Sequence, residues 1–387
     1  MSFRVALLSE IIAPYRIPVF NALARQRDID LHVIFLAETD PTQRQWLVYK
    51  DEIKFSYQVL PSWRWRRDGS DTSGSILLNR GMSSALDRFR PDSILCGGYN
   101  HFAFWQALAW AKRHTIHFAA WIESTSRDRR TSSGAAHSVK RWFVRHCDSF
   151  AVPGQSSFEY VRSMGVPPQQ IHTAPNAVDV ERFATLALSA RQNERNVRTE
   201  LTLPPRYFLY TGRIIPGKGV FHLLAAYSQL SAELRSQVGL VFVGEGSAKA
   251  ELMKQAANIA PGTLVFPGFA QRDQLASFYA LAEVLVFPTL SDPWGLVVNE
   301  AMACGLPIIA TDVAGCTTDL VKPGENGYVI PAGDVSKLAV AMQTFACDQQ
   351  LSSRMGESSA RLIEHFSPEL CAEGLALASG VPSRVSR

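Results

Sequence analysis

Asp292 and Glu300 stand eight positions apart in SDPWGLVVNE (291–300), the first at the mouth of a helix-like stretch and the second inside it. Each carboxylate is able to accept hydrogen bonds from a pair of sugar hydroxyls. Between them the backbone amides of Gly295, Leu296 and Val297 suit a phosphate, since the first amides of a helix lack internal partners and lie at the positive end of its dipole. Hexose, phosphates and ribose in that order make up a nucleoside diphosphate sugar. A plainer reading stands beside this one: Ser291-Asp292-Pro293 starts a helix with Asp292 as its cap, and Glu300 meets a neighbouring helix.

A second anion-facing element is TGRIIPGKG (211–219), which follows an apolar run and precedes an amphipathic one. Gly212, Arg213 and Lys218 fall where a strand end and a helix start meet a phosphate; the alternative is a glycine-rich turn whose Arg and Lys face solvent. Gly212 to Lys218 also fits GxxxxGK, but Gly219 stands where a P-loop needs the Ser or Thr that binds magnesium, which excludes that class. GEG (244–246) is only part of a dinucleotide fingerprint. The lone DID (28–30) precedes a strand and is a poor metal motif.

Positioning these groups requires sheets. Short apolar runs ending in Gly, Pro or Thr alternate with longer amphipathic stretches, the pattern of parallel strands crossed by helices. The spacing predicts strands at 4–9, 31–36, 93–96, 116–121 and 149–152, with helices at 101–113 and 136–146. A polar, poorly patterned stretch (186–205) reads as a linker, and a second series follows at 207–212, 239–244, 263–268, 284–288 and 307–311. The fold class is therefore α/β twice over, with a cleft between two Rossmann-like domains and ligands at the carboxyl ends of the strands. Two domains also suit 387 residues, because single cores stop growing near ~250–300 residues.

Bulk composition narrows the classes further. With 47% hydrophobic and 19% charged residues, both halves bury real cores and neither reads as disordered. MSFRVALLSE reads as a first strand rather than a leader or spanning helix, and no run reaches ~18 uninterrupted apolar residues. Six scattered cysteines without metal-ligand spacing suggest reduced thiols and a cytoplasmic protein. The net charge of +4 is uneven: 23 basic against 17 acidic residues through position 186, and 16 against 18 thereafter. The excess lies in WRWRR (63–67), RDRR (127–130) and KRWFVRH (140–146), where basic residues interleave with aromatics. Such a face suits an anionic membrane surface or an acidic acceptor, and equally a solvated helix with its aromatics in the core. No nucleic-acid recognition module accompanies it.

The run GRIIPGKG, VGEG, FPGF, SDPWGLVVNEAMACGLPIIATDVAG and PGENGYVIPAGD, together with PNAVD (175–179) and FSPE (366–369), resembles the family 4 retaining glycosyltransferases of the GT-B fold. The resemblance implies an acceptor-binding domain (1–186), a nucleotide-sugar-binding domain (187–365) and a C-terminal helix (366–387) crossing back to the first domain. It implies that Arg213 and Lys218 hold the diphosphate and its developing charge, that Glu300 binds the ribose, and that Asp292, one methylene shorter than the family's usual Glu, faces the donor sugar. Phe269 of FPGF joins the donor-binding set with Gly212, Gly295, Leu296 and Val297. On the acceptor side, CGGYNH (96–101) and WIES (121–124) follow strands. His101 or Glu123 would orient the acceptor hydroxyl or steady the ring cation, while Tyr15, Arg16, Tyr99 and Asn100 shape the pocket; capping or packing is the alternative for His101 and Glu123. The implied activity is retaining sugar transfer from a nucleotide diphosphate sugar, used as co-substrate without a metal, to a glycan or lipid-linked acceptor of surface polysaccharide synthesis. The implied location is the cytoplasm, at the inner face of the membrane. A sugar-nucleotide epimerase on the same plan, or a non-catalytic sugar-nucleotide binder, is the competing reading.

Overall fold

The β-branched and aromatic runs picked out above form the strands, and alternation along them supplies two cores per sheet. The computed structural model of the protein describes residues 2–40, 45–65, 76–127 and 134–382. Contacts divide the chain into two units, residues 1–178 with 367–387, and residues 179–366.

The first unit contains β1 (Phe3–Ser9), β2 (Ile29–Phe35), β3 (Ser56–Val59), β4 (Ser62–Trp65), β5 (Ile76–Asn79), β6 (Ser93–Cys96), β7 (His117–Trp121), β8 (Ser149–Val152) and β9 (Ile171–Thr173). Its helices are α1 (Ile17–Ala24), α2 (Met82–Phe89), α3 (Phe102–His114), α4 (Gly134–Arg145) and α5 (Gln155–Ser163). Seven strands pair in parallel in the order β3-β2-β1-β6-β7-β8-β9, and β4 and β5 form a separate antiparallel hairpin. Along β1, Ala6 and Leu8 enter the core beneath α2 and α3, while Val5 and Leu7 enter the core shared with α1. Strand order reverses between β1 and β6, so the loops after these two strands open a crevice at the sheet's carboxyl end.

The second unit begins with α6 (Val180–Gln192) and α7 (Glu194–Glu200). Its strands are β10 (Tyr207–Thr211), β11 (Gly239–Val243), β12 (Leu264–Gly268), β13 (Val284–Phe287), β14 (Ile308–Thr311) and β15 (Gly327–Ile330). Interleaved are α8 (Val220–Gln229), α9 (Ala232–Gln237), α10 (Lys249–Ala256), α11 (Arg272–Ala280), α12 (Leu296–Ala303), α13 (Thr317–Leu320), α14 (Val335–Cys347) and α15 (Gln349–Ile363). The parallel order β12-β11-β10-β13-β14-β15 is that of a dinucleotide-binding sheet, with its switch point between β10 and β13. The two motifs singled out in the sequence, 211–219 and 291–300, follow these two strands.

One expectation needs correction. The stretch 186–205 is not a linker: most of it is helical, and the division falls between Val178 and Asp179. The side chain of Asp179 caps α6 by accepting from the Arg182 amide at 3.0 Å. Phe183, Ala187 and Ala190 then put a narrow buried stripe on α6, which packs on α11 and α12. The final helix, α16 (Pro368–Ala378), is capped by Ser367 and buries Cys371, Ala372 and Leu375 in the β1 core of the first unit. An added Cβ on Gly374 would lie 2.1 Å from the Thr173 carbonyl oxygen, so helix and strand touch backbone to backbone there.

Candidate active site

At the switch point of the second unit the two loops are stitched together. Leu290 donates its amide to the Gly217 carbonyl at 3.0 Å. Gly219 adopts φ +72° with its Cα side pressed on the Pro288 carbonyl, where any Cβ would stand 1.9 Å from that oxygen. This is the physical reason for glycine at the position where a P-loop has Ser or Thr. The stitching brings Lys218 onto Asp292: the ammonium pairs with Oδ2 of the carboxylate, and the two side chains are only 19% and 13% exposed.

Asp292 does not cap α12, which removes that part of the plainer reading. Gly295, at φ +102° and packed against the Phe287 ring, turns the chain so that α12 starts at Leu296 without a side-chain cap. Asp292 Oδ1 instead accepts from the Trp294 amide at 3.1 Å, and its carbonyl accepts from Gly315 at 3.0 Å. Trp294 is locked in turn by its indole bond to Asn299 Oδ1 at 2.9 Å. Among the described residues the amides of Gly295, Leu296 and Val297 meet no carbonyl acceptor. The Gly212 amide differs: it donates to the Val243 carbonyl at 3.0 Å and is already engaged.

The strand pleat sends consecutive side chains at the end of β10 to opposite faces. Tyr210 donates its hydroxyl to the Arg213 carbonyl at 2.7 Å, and the charges of Asp292 and Arg213 both act on that phenol. Thr211 instead meets the Tyr279 hydroxyl at 2.8 Å, and Tyr279 donates to Glu300 Oε2 at 2.7 Å. Burial pushes the Glu300 carboxyl up to about 7, against the downward pull of the Tyr279 hydrogen bond and the Arg272 charge. An edge of the residue stays open to solvent, but the carboxyl sits deep enough for lost hydration to dominate. Tyr279, Thr211 and Arg272 were not singled out in the sequence. Phe269, 39% exposed, follows β12 at the sheet's edge, two strands from β10.

At the crevice of the first unit Arg16 is nearly buried, with its guanidinium 3.8 Å from the Trp121 ring centre. It pairs with Glu123 Oε1 and donates to Asn176 Oδ1 at 3.1 Å. Burial opposes the charge of Arg16, yet Glu123 overrides it and the pKa is raised. Arg16 and Glu123 line a cavity of about 70 Å³ that also reaches Ser9 and Gly97 at the ends of β1 and β6. His101 Nε2 lies 3.3 Å from Glu10 Oε2 and its ring rests on Phe104. Tyr15 packs edge-on against Trp46. Asn100 is exposed, whereas the Tyr99 ring lies in the core against Phe143 and only its hydroxyl reaches out, to Ser124 Oγ at 3.0 Å. Asn176, a buried residue of the PNAVD segment, is the partner the sequence did not single out.

Of the basic stretches, Arg66, Arg67 and residues 128–130 lie outside the described residues. Within 140–146, Arg141 and Arg145 are exposed beside Trp142, which is 52% exposed and stacked on Trp105 and His146. Among the described residues no group of three or more His, Cys, Asp or Glu is placed to hold a metal ion. None of their helices is long and apolar enough to cross a membrane.

The two sheets and the motif positions define the chain's class. Residues 20–182 match glycosyltransferase family 4 and residues 192–362 match glycosyl transferases group 1, so the chain belongs, broadly, to the GT-B-fold glycosyltransferases. Among curated proteins, the D-inositol 3-phosphate glycosyltransferase of Streptomyces bingchenggensis is 33% identical over 219 residues, 54% of this chain and 47% of that protein. The chain spans about half the length of the curated relatives it matches. Among solved structures, Anabaena HepE in complex with UDP and glucose aligns with a TM-score of 0.74 at 17% identity, covering 98% of this chain and 100% of that one. Sucrose-phosphate synthase from Thermosynechococcus elongatus aligns with a TM-score of 0.70 at 21% identity, covering 97% and 98%.

Proposed function

We propose that the protein is a retaining, metal-independent glycosyltransferase that takes a sugar from a nucleoside diphosphate sugar held by its second unit. The acceptor is a glycan or lipid-linked molecule of surface polysaccharide synthesis, held by the first unit. The observation that carries the reading is the convergence of Lys218, Asp292 and the unpartnered amides of 295–297 on the β10/β13 switch point, with Glu300 suspended from the same strand end through Tyr279. UDP and UDP-glucose bound to HepE support the donor class.

In the reaction the anomeric C–O bond breaks and the diphosphate leaves with the electron pair. The acceptor oxygen bonds to the anomeric carbon from the same face, and its proton passes to an oxygen of the leaving phosphate. Lys218, Arg213 and the α12 amides stabilise the charge that collects on the diphosphate; such preorganised groups are usually the largest catalytic contribution. Glu300 takes the ribose hydroxyls and Asp292 the sugar hydroxyls. Screening UDP-, GDP- and other nucleotide sugars for thermal stabilisation identifies the donor, and a product assay then separates transfer from epimerisation. Transfer of the sugar to an acceptor is the expected outcome; release of a free epimeric nucleotide sugar contradicts it.

For the acceptor, the Arg16–Glu123 pair at the 70 Å³ cavity is the better-built device, and Glu123 is our choice over His101 for orienting the attacking hydroxyl. Arg16→Ala is expected to raise the acceptor KM by about tenfold or more, because the carboxylate loses its fixed partner, while donor affinity measured by calorimetry stays unchanged. A shift in donor affinity alone would remove Arg16 from the acceptor site.

The exposed Trp142 and Val139, on the same helix as Arg141 and Arg145, support peripheral contact with an anionic membrane at its inner face. Trp142→Ala is expected to weaken binding to phosphatidylglycerol vesicles by about 3–10-fold in co-sedimentation, since both buried area and basic charge contribute. Equal binding to neutral vesicles would refute an electrostatic contact.

A further inference from the structure

The ammonium that the donor's phosphate would need is paired with a carboxylate of the protein itself. Lys218 is held by Asp292 on two loops that are themselves fixed: Leu290 to Gly217, Gly315 to the Asp292 carbonyl, and the Trp294 amide to Oδ1. An incoming diphosphate is an anion, as Asp292 is, and two anions sharing one ammonium repel one another. Binding therefore exchanges one partner of Lys218 for another and leaves a carboxylate of 13% exposure without its cation. An unpaired, nearly buried carboxylate is unfavourable unless hydrogen-bond donors replace the lost charge.

We propose that Asp292 is a specificity-determining residue that makes the site favour the intact nucleotide sugar over the spent nucleoside diphosphate. The intact donor brings sugar hydroxyls that satisfy the displaced carboxylate, whereas the spent nucleotide brings phosphate alone. The same exchange works in reverse after transfer: Asp292 competes for Lys218 and helps to expel the product. This inference rests on the donor-site reading above and deepens it.

The test is calorimetric titration of wild type, Asp292→Asn and Asp292→Glu with UDP and UDP-glucose, and with GDP and GDP-mannose as a second pair. Asparagine retains the acceptor oxygen for the Trp294 amide, so the loop keeps its turn. In the Asn variant the nucleoside diphosphate is expected to bind about 5-fold or more tighter than to wild type, while the nucleotide sugar gains nothing. The preference for the intact donor then falls by the same factor of about 5-fold or more, within the range of measured charge-pair couplings. The Glu variant, which keeps the charge, is expected to remain near wild type. A spent nucleotide that binds the Asn variant no better than wild type overturns the exchange, as does equal tightening in the Glu variant. Wild type that binds no member of either pair overturns the donor-site reading itself, and the exchange with it.

Discussion

Lys218→Ala is expected to lower kcat for sugar transfer by about 10²–10³-fold, the loss typical when one preorganised donor to a developing charge is removed. The reason is geometric. Lys218 is fixed at the turn before α8, where Gly219 presses on Pro288, so in the proposed site its ammonium is held next to the diphosphate once the donor is bound. The variant also leaves Asp292 without its cation, and stability is expected to fall by about 1–3 kcal/mol as a nearly buried charge goes unpaired. Steady-state kinetics beside urea unfolding separate the two effects. If kcat stayed within a few fold of wild type while stability fell, Lys218 would be a structural partner of Asp292 and nothing more.

Glu300→Gln is expected to have the opposite effect on stability and to weaken donor binding. The folded-state pKa of about 7 lies above the ordinary value of 4.5, so the folded protein holds this proton more tightly than the unfolded chain. The contribution of Glu300 is then most favourable below about pH 4.5, is lost as the pH rises towards 7, and levels off above that. At pH 8 the buried carboxylate opposes folding by on the order of 3 kcal/mol, taking 1.36 kcal/mol per unit. Glutamine keeps an oxygen for the Tyr279 hydroxyl without carrying the charge. Thermal melts are expected to show the variant more stable than wild type at pH 8 and indistinguishable near pH 4.5. Donor kcat/KM should fall by about 10–100-fold at pH 8, the scale of hydrogen bonds to a charged acceptor. In wild type the donor should bind more tightly as the pH climbs through 7, and in the variant that dependence should vanish. A variant less stable than wild type at pH 8 would show that the carboxylate is satisfied rather than frustrated.

Glu300 was legible in sequence and its surroundings were not. Glu300, Asp292, Lys218 and Arg213 sit in short motifs whose glycines and prolines mark strand ends and helix starts, so local chemistry places them. Tyr279 comes from α11, 21 residues earlier, where an aromatic on a helix reads as core. Glu123 and Asn176 lie 107 and 160 residues from Arg16, and only the assembled sheet brings the three together.

The strands were legible for the same reason the motifs were: β1, β6, β8, β10, β11 and β13 are continuous apolar runs, as strands buried on both faces must be. The edge strand β3 and the short outer strands β9 and β15 carry weaker patterns and were missed. The polar look of 186–205 concealed α6 because its buried stripe is made of one Phe and small alanines. The helix start at Leu296, rather than at Pro293, follows from the positive φ of Gly295, which only the packing on Phe287 reveals.

The most direct test of the account is a crystal structure of the protein with the nucleotide sugar that best stabilises it. The diphosphate is expected between Lys218 and the amides of 295–297, the ribose on Glu300, and Asp292 turned from Lys218 to the sugar. A nucleotide seated away from the β10 and β13 strand ends, with the Lys218–Asp292 pair intact, would contradict it.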